Sequence, residues 1–212
     1  MIKQSCFILL LIFLLNINYA FAEEPDKVEK LLIENKNLIY SSAELFNIQP
    51  RIIAAIIYTE RTLNVNWMEN ELDQLLAKTG YSSSLGIGQI KIHTAQWIEK
   101  KLHDSLSNYY LGDIAKINIS KSKNREEVIE RLKDPQWNLK YIAAYIAMFC
   151  RRWSKEGFNI SDKPDIIGTL YSLGPYRVQD GTERAPHGSP KSNYFGEETA
   201  KFYFSKLLSK NF

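Results

Sequence analysis

Apolar residues recur along this chain at helical spacing and almost nowhere in alternation, which predicts an all-α or nearly all-α domain without a convincing strand. Residues 24–46 predict an amphipathic helix, with Val28, Leu31, Leu32, Leu38, Ile39, Leu45 and Phe46 on its apolar side. A second helix runs over 50–61, and 62–81 reads as a loop holding one short helix. Further helices are expected at 94–102 and around 126–132. The strongest pattern covers 138–153, where Leu139, Ile142, Ala143, Ile146, Phe149 and Trp153 make a segment apolar nearly all round, as a central buried helix requires. A shorter helix over 165–172 stops at Leu173-Gly174-Pro175. Residues 176–193 are loop-like, and a closing helix spans 196–209. There are no internal repeats.

Helix 50–61, PRIIAAIIYTER, is where chemistry enters. Pro50 suits a first helical turn, since its missing N–H has no partner there in any case. Ile52, Ile53, Ile56 and Ile57 mark an apolar face, and Glu60 lies seven, four and three residues beyond Ile53, Ile56 and Ile57. The apolar stripe therefore ends in a carboxyl group. Burial beside isoleucines and a place in the last helical turn both disfavour its charged form. A glutamic acid that keeps its proton near neutrality can serve as a general acid. The competing reading has the helix simply ending here, with Glu60 turned to water beside Arg61, a cation that would lower its pKa.

The first residues place this domain in a compartment. Lys3, an apolar run over 6–15 and Ala20-Phe21-Ala22 have the layout of a secretory signal peptide, cut after Ala22, and the run is too short for a comfortable membrane span. The expected mature chain, 23–212, is a single domain with no transmembrane segment, periplasmic or secreted. Cys6 leaves with the signal, so Cys150 stands alone without an intrachain disulfide; among Met148, Phe149 and Trp153 it reads as a core residue. The whole chain carries 27 Lys and Arg against 24 Asp and Glu. That mild balance does not call for nucleic acid. His93, His103 and His187 lack ligand spacing, so no metal is expected, and no glycine run has a nucleotide-cradling pattern, so no cofactor is.

Four segments, in order, resemble the soluble-type lytic transglycosylases, a peptidoglycan-cleaving family with a lysozyme-like fold. Glu60 closes an apolar helix. SLGIGQIKIHTA follows, with Gly86, Gln89, Ile90, Thr94 and Ala95 matching the family's Gly-Leu-Met-Gln-Ile and Thr-Ala. DPQWNLKYIAAYIAMF supplies Asp134, Pro135 and Asn138 before the long apolar helix. Tyr171-Ser172-Leu173-Gly174-Pro175 matches Tyr-Asn-Ala-Gly-Pro, and Glu198-Thr199 precedes the closing helix. The sequence departs from the pattern at Arg61, where the family has Ser, and at Gly88, Ser172 and Phe202, where it has Met, Asn and Tyr. The 62–81 stretch looks like an insertion.

The resemblance implies cleavage of the bond between N-acetylmuramic acid and N-acetylglucosamine by a monomeric enzyme. Glu60 would protonate the leaving oxygen and then act as base toward the muramic acid 6-hydroxyl, leaving a 1,6-anhydro end. Ser84, Gly86, Gln89 and Tyr171 would bind substrate, with Tyr171 on Glu60 or the sugar, and with Gly86 and Gly88 letting backbone amides reach the glycan. Glu198 would order the closing helix. Two alternatives stand beside this: a hydrolytic lysozyme drawing a second carboxylate from Glu69, Glu71 or Asp73, and a non-catalytic wall-binding or assembly module.

Overall fold

A computed structural model describes residues 23–63, 84–177 and 179–212. The expected signal peptide over 1–22, most of the 62–81 stretch read as an insertion, with Glu69, Glu71 and Asp73, and Ser82 and Ser83 lie outside the described residues. Ten helices and one minimal sheet make up the described chain: α1 (Pro25–Glu34), α2 (Lys36–Leu45), α3 (Pro50–Leu63), β1 (Ser84–Leu85), β2 (Ile90–Lys91), α4 (Ile92–Leu102), α5 (Asp113–Asn118), α6 (Arg125–Lys133), α7 (Pro135–Lys155), α8 (Pro164–Leu173), α9 (Tyr194–Tyr203) and α10 (Lys206–Asn211). The protein is mostly helical, as its periodicity predicts. No helix among the described residues is long and apolar enough to cross a membrane.

Helix α7 is the central element. Asp134 caps it, its carboxylate accepting from the Trp137 N–H at 2.9 Å, and Pro135 occupies the first turn. Leu139, Tyr141, Ile142, Ala143, Ala144 and Met148 are fully buried. Helices α2, α3, α4, α6 and α8 all pack on it. Helix α9 lies across α8 and α3. Tyr58 and Phe202 meet there with ring centroids 4.3 Å apart, and the Thr199 hydroxyl donates to Thr59 Oγ1 at 3.3 Å inside the core. The residue just before Glu60 is thereby pinned to the closing helix. Glu198 forms an ion pair with Lys201 one turn along the same helix, at 3.1 Å.

The structure corrects several boundaries. The expected helix over 24–46 breaks at Asn35, whose side-chain amide donates to Leu31 O at 2.9 Å and ends α1. The closing helix over 196–209 breaks at Ser205, which caps α10 by accepting from the Leu208 N–H at 3.3 Å. Apolar periodicity ran through both breaks because short polar caps do not interrupt it. Helix α5 was hidden for the opposite reason: it buries only Ala115, leaving Ile114 and Ile117 in solvent. A sheet does exist, though two residues long: Ser84 pairs with Lys91 and Leu85 with Ile90, antiparallel. Cys150 is half-buried against the core, and burial pushes its thiol up to about 12.

Candidate active site

The β1–β2 turn, residues 84–91, is the part of the site that the chain builds with most hydrogen bonds. Leu85, Ile87 and Ile90 point into the core and leave the turn's polar atoms to be satisfied by neighbours. Asn138, completely buried on α7, satisfies several. Its carbonyl oxygen accepts from Gly88 N at 3.0 Å, and its amide donates to Leu85 O at 3.0 Å and to Leu132 O at 2.8 Å. Gly86 lies at φ +78°, and a Cβ there would fall 2.1 Å from Leu132 O. Gly88 closes on α7 so tightly that a Cβ would be 2.3 Å from Ile142 Cδ1 and 3.2 Å from the Tyr171 hydroxyl. Gln89, itself at φ +50°, commits its side-chain nitrogen to Gly86 O at 2.9 Å.

Arg61 fastens this turn to helix α3. Its guanidinium donates to Ile87 O at 3.0 Å, to Gly86 O at 3.1 Å and to the Glu23 carboxylate at 2.6 Å. On the other side the Tyr171 hydroxyl donates to Gly88 O at 2.7 Å. Glu60 precedes Arg61 on α3 and is near enough to Tyr171 for its charge to act there. It retains some solvent contact, yet burial is enough to push its carboxyl up to about 8. Lys91, then Arg61, pull in the opposite direction without overcoming burial. No described residue donates a hydrogen bond to the Glu60 carboxyl, which would have stabilised its charged form. The field of Glu60 reaches Tyr171, whose phenol is held well above its ordinary value by burial first, then Glu60, then Tyr145.

Glu99 on α4 marks the contrast. This other buried carboxylate accepts from the Tyr141 hydroxyl, from Ser122 N at 2.8 Å and Oγ at 2.6 Å, and from Arg131 at 3.3 Å. Its oxygens are committed to structure. Glu60 accepts no hydrogen bond from the described residues, and burial raises its carboxyl to about 8, so the two carboxyl groups sit in opposite environments.

No family model, no curated protein and no solved structure matches this chain. The site is therefore read from its own geometry. Glu60, Gly86, Gln89 and Tyr171 come together through Arg61, Gly88 and Asn138. Ser84 stands opposite Lys91, the main cationic neighbour of Glu60, and is half-exposed. The structure revises one expectation: the Gly88 amide is taken by Asn138, so this glycine serves close packing on α7 and does not offer its N–H to a sugar. Arg61 is also more than a cation beside an acid, since its fork holds the turn. Lys91 and Glu23 had no sequence signal, and Asn138 stood out only through the resemblance.

A cavity of about 180 Å³ lined by Trp153, Phe158, Asn159, Lys163 and His187 lies at the other end of α7. Trp153 is fifteen residues beyond Asn138, roughly 22 Å along the helix axis. That cavity has no carboxylate in its wall and holds none of the residues assembled around Glu60. Among the described residues no group of three or more His, Cys, Asp and Glu side chains is placed to hold a metal ion.

Proposed function

We propose that this protein cleaves the glycosidic bond between N-acetylmuramic acid and N-acetylglucosamine in peptidoglycan, on a lysozyme-like fold, after export and removal of residues 1–22. The observation that carries the reading is Glu60, whose carboxyl burial raises to about 8, next to a turn held by Arg61, Asn138 and the buried Tyr171. Glu60 donates its proton to the glycosidic oxygen as the C1–O bond breaks, and the sugar ring takes up the positive charge. The resulting carboxylate then removes the proton of the muramic acid 6-hydroxyl while that oxygen bonds to C1. Glu60 is protonated again at the end, and a 1,6-anhydro sugar leaves. A positioned acid of this kind contributes roughly 10²- to 10⁴-fold to the rate.

The cycle asks for one carboxyl, since the substrate supplies the nucleophile. Glu99, fully bonded within the fold, takes no part. Ser84 and Gln89, both partly exposed on the turn that Arg61 fastens to α3, would meet a sugar's acetamido and hydroxyl groups. Tyr171 sets the turn through Gly88 O and, as a neutral phenol, leaves the Glu60 proton in place. The test is mass spectrometry of purified peptidoglycan after digestion by the wild-type protein and by Glu60→Gln. Anhydro-muramic ends from the wild type alone support the proposal. Reducing ends point to hydrolysis, and an intact wall that still binds the protein points to a non-catalytic module.

A further inference from the structure

Tyr176 follows the Gly174-Pro175 stop at the end of α8 and keeps 41% of its surface exposed, a large apolar face shown to water. It is nonetheless firmly held. Trp97 Nε1 donates to its hydroxyl at 3.1 Å, with the two rings edge to face at 6.5 Å and 84°. Its backbone bridges to Glu183, reinforced by Arg177 N to Thr182 O and Arg184 N to Pro175 O, both at 2.8 Å. Trp97 in turn sits edge-on against Tyr109 at 4.9 Å and Tyr145 at 5.9 Å, and Tyr145 against Tyr171 at 5.5 Å. A ring fixed in this way presents a flat apolar face and loses little entropy when something stacks on it.

Helix α4 gives the pair its place relative to the acid. Lys91 caps that helix and is the first cationic neighbour of Glu60. Trp97 lies six residues further on, about 9 Å along the axis. Thr94, Trp97 and Lys101, all half-buried, follow one another at three- and four-residue spacing along one face. That face runs from the end near Glu60 to Tyr176, where Lys101 and Glu183 pair at 3.7 Å.

The geometry points to a second glycan subsite: an N-acetylhexosamine ring, one or more residues removed from the reacting bond, stacks on Tyr176 as held by Trp97, with Lys101 and Glu183 beside it for the sugar's polar groups. The subsite rests on the proposed function and deepens it, because it makes the protein favour long glycan strands over short ones.

Chitobiose and chitohexaose, added to the full chain, test it by calorimetric titration alongside wall-solubilisation assays. Tyr176→Ala is expected to bind chitohexaose roughly tenfold more weakly than wild type while chitobiose binding is unchanged. Tyr176→Phe, which keeps the ring and loses only the acceptor for Trp97, is expected to lose less. The Trp97 indole N–H resonance, identified by its absence in Trp97→Phe, should move on adding chitohexaose and stay still with chitobiose. If wild type solubilises wall and binds chitohexaose, while Tyr176→Ala matches it at both lengths, the subsite is overturned and the proposed function stands. If wild type neither solubilises wall nor binds either sugar, the functional reading fails and takes the subsite with it.

Discussion

Replacing Glu60 by glutamine should make the protein more stable and less active, by amounts that depend on pH in a definite way. The carboxyl is raised from an ordinary 4.5 to about 8 in the folded chain. Between those values the native state holds a proton that the unfolded state has lost, so wild-type stability falls by about 1.4 kcal/mol per pH unit on this group's account. Glutamine keeps the shape and cannot ionise. The gap between the two proteins should therefore be close to zero at pH 4 and reach about 3 kcal/mol at pH 7, an upper bound because the side chain keeps some solvent contact. Urea denaturation of both proteins at a series of pH values reads the gap directly, and all other titrations cancel in the difference. Wall-solubilising activity should drop by roughly 10²- to 10⁴-fold in the same variant. Stability curves that run parallel from pH 4 to pH 8 would show that Glu60 is an ordinary solvated carboxylate, and the acid mechanism would have no basis.

Other expectations follow from the turn. Arg61→Ala should cost about 2 kcal/mol in urea denaturation, through the lost bonds to Glu23, Gly86 O and Ile87 O, and should lower activity at least roughly tenfold by loosening the turn; unchanged activity would mean the arginine only tunes charge. Asn138→Leu should cost about 3 kcal/mol, because Gly88 N, Leu85 O and Leu132 O lose their partner inside the core, and a loss within experimental error of zero would rule out that bonding scheme. Gly86→Ala should cost about 3 kcal/mol or more, with a Cβ driven onto Leu132 O at a positive φ, whereas Gly181→Ala, at φ +66° in open space, should cost only about 1 kcal/mol; equal thermal shifts for the two would contradict this packing.

Much of the helical scaffold and its acid could be read in advance because they depend on local spacing. The seven-, four- and three-residue offsets from the isoleucines put Glu60 on the buried side of α3, and Asp134-Pro135 announced the start of α7. What escaped reading depends on distant partners. Arg61 looked like a cation that would spoil its neighbouring acid. Its guanidinium in fact reaches carbonyls 25 and 26 residues downstream, a pairing that no local pattern encodes. Gly88 looked like a backbone opened toward a ligand, yet the space its missing side chain leaves is filled by Ile142 on α7, far along the chain. Asn35 and Ser205 break their helical runs through hydrogen bonds of their own side chains, which apolar periodicity on either side does not register. The two-residue strands fall below any length at which alternation carries information.

The most direct measurement is the titration of Glu60 itself, followed through its side-chain carboxyl carbon by NMR in the folded protein and assigned by its absence in Glu60→Gln. The account predicts a midpoint of about 8, with a rate of wall cleavage that falls as pH rises through the same value. A midpoint at or below the ordinary 4.5 would contradict it, since Glu60 would then carry no proton to give at neutral pH.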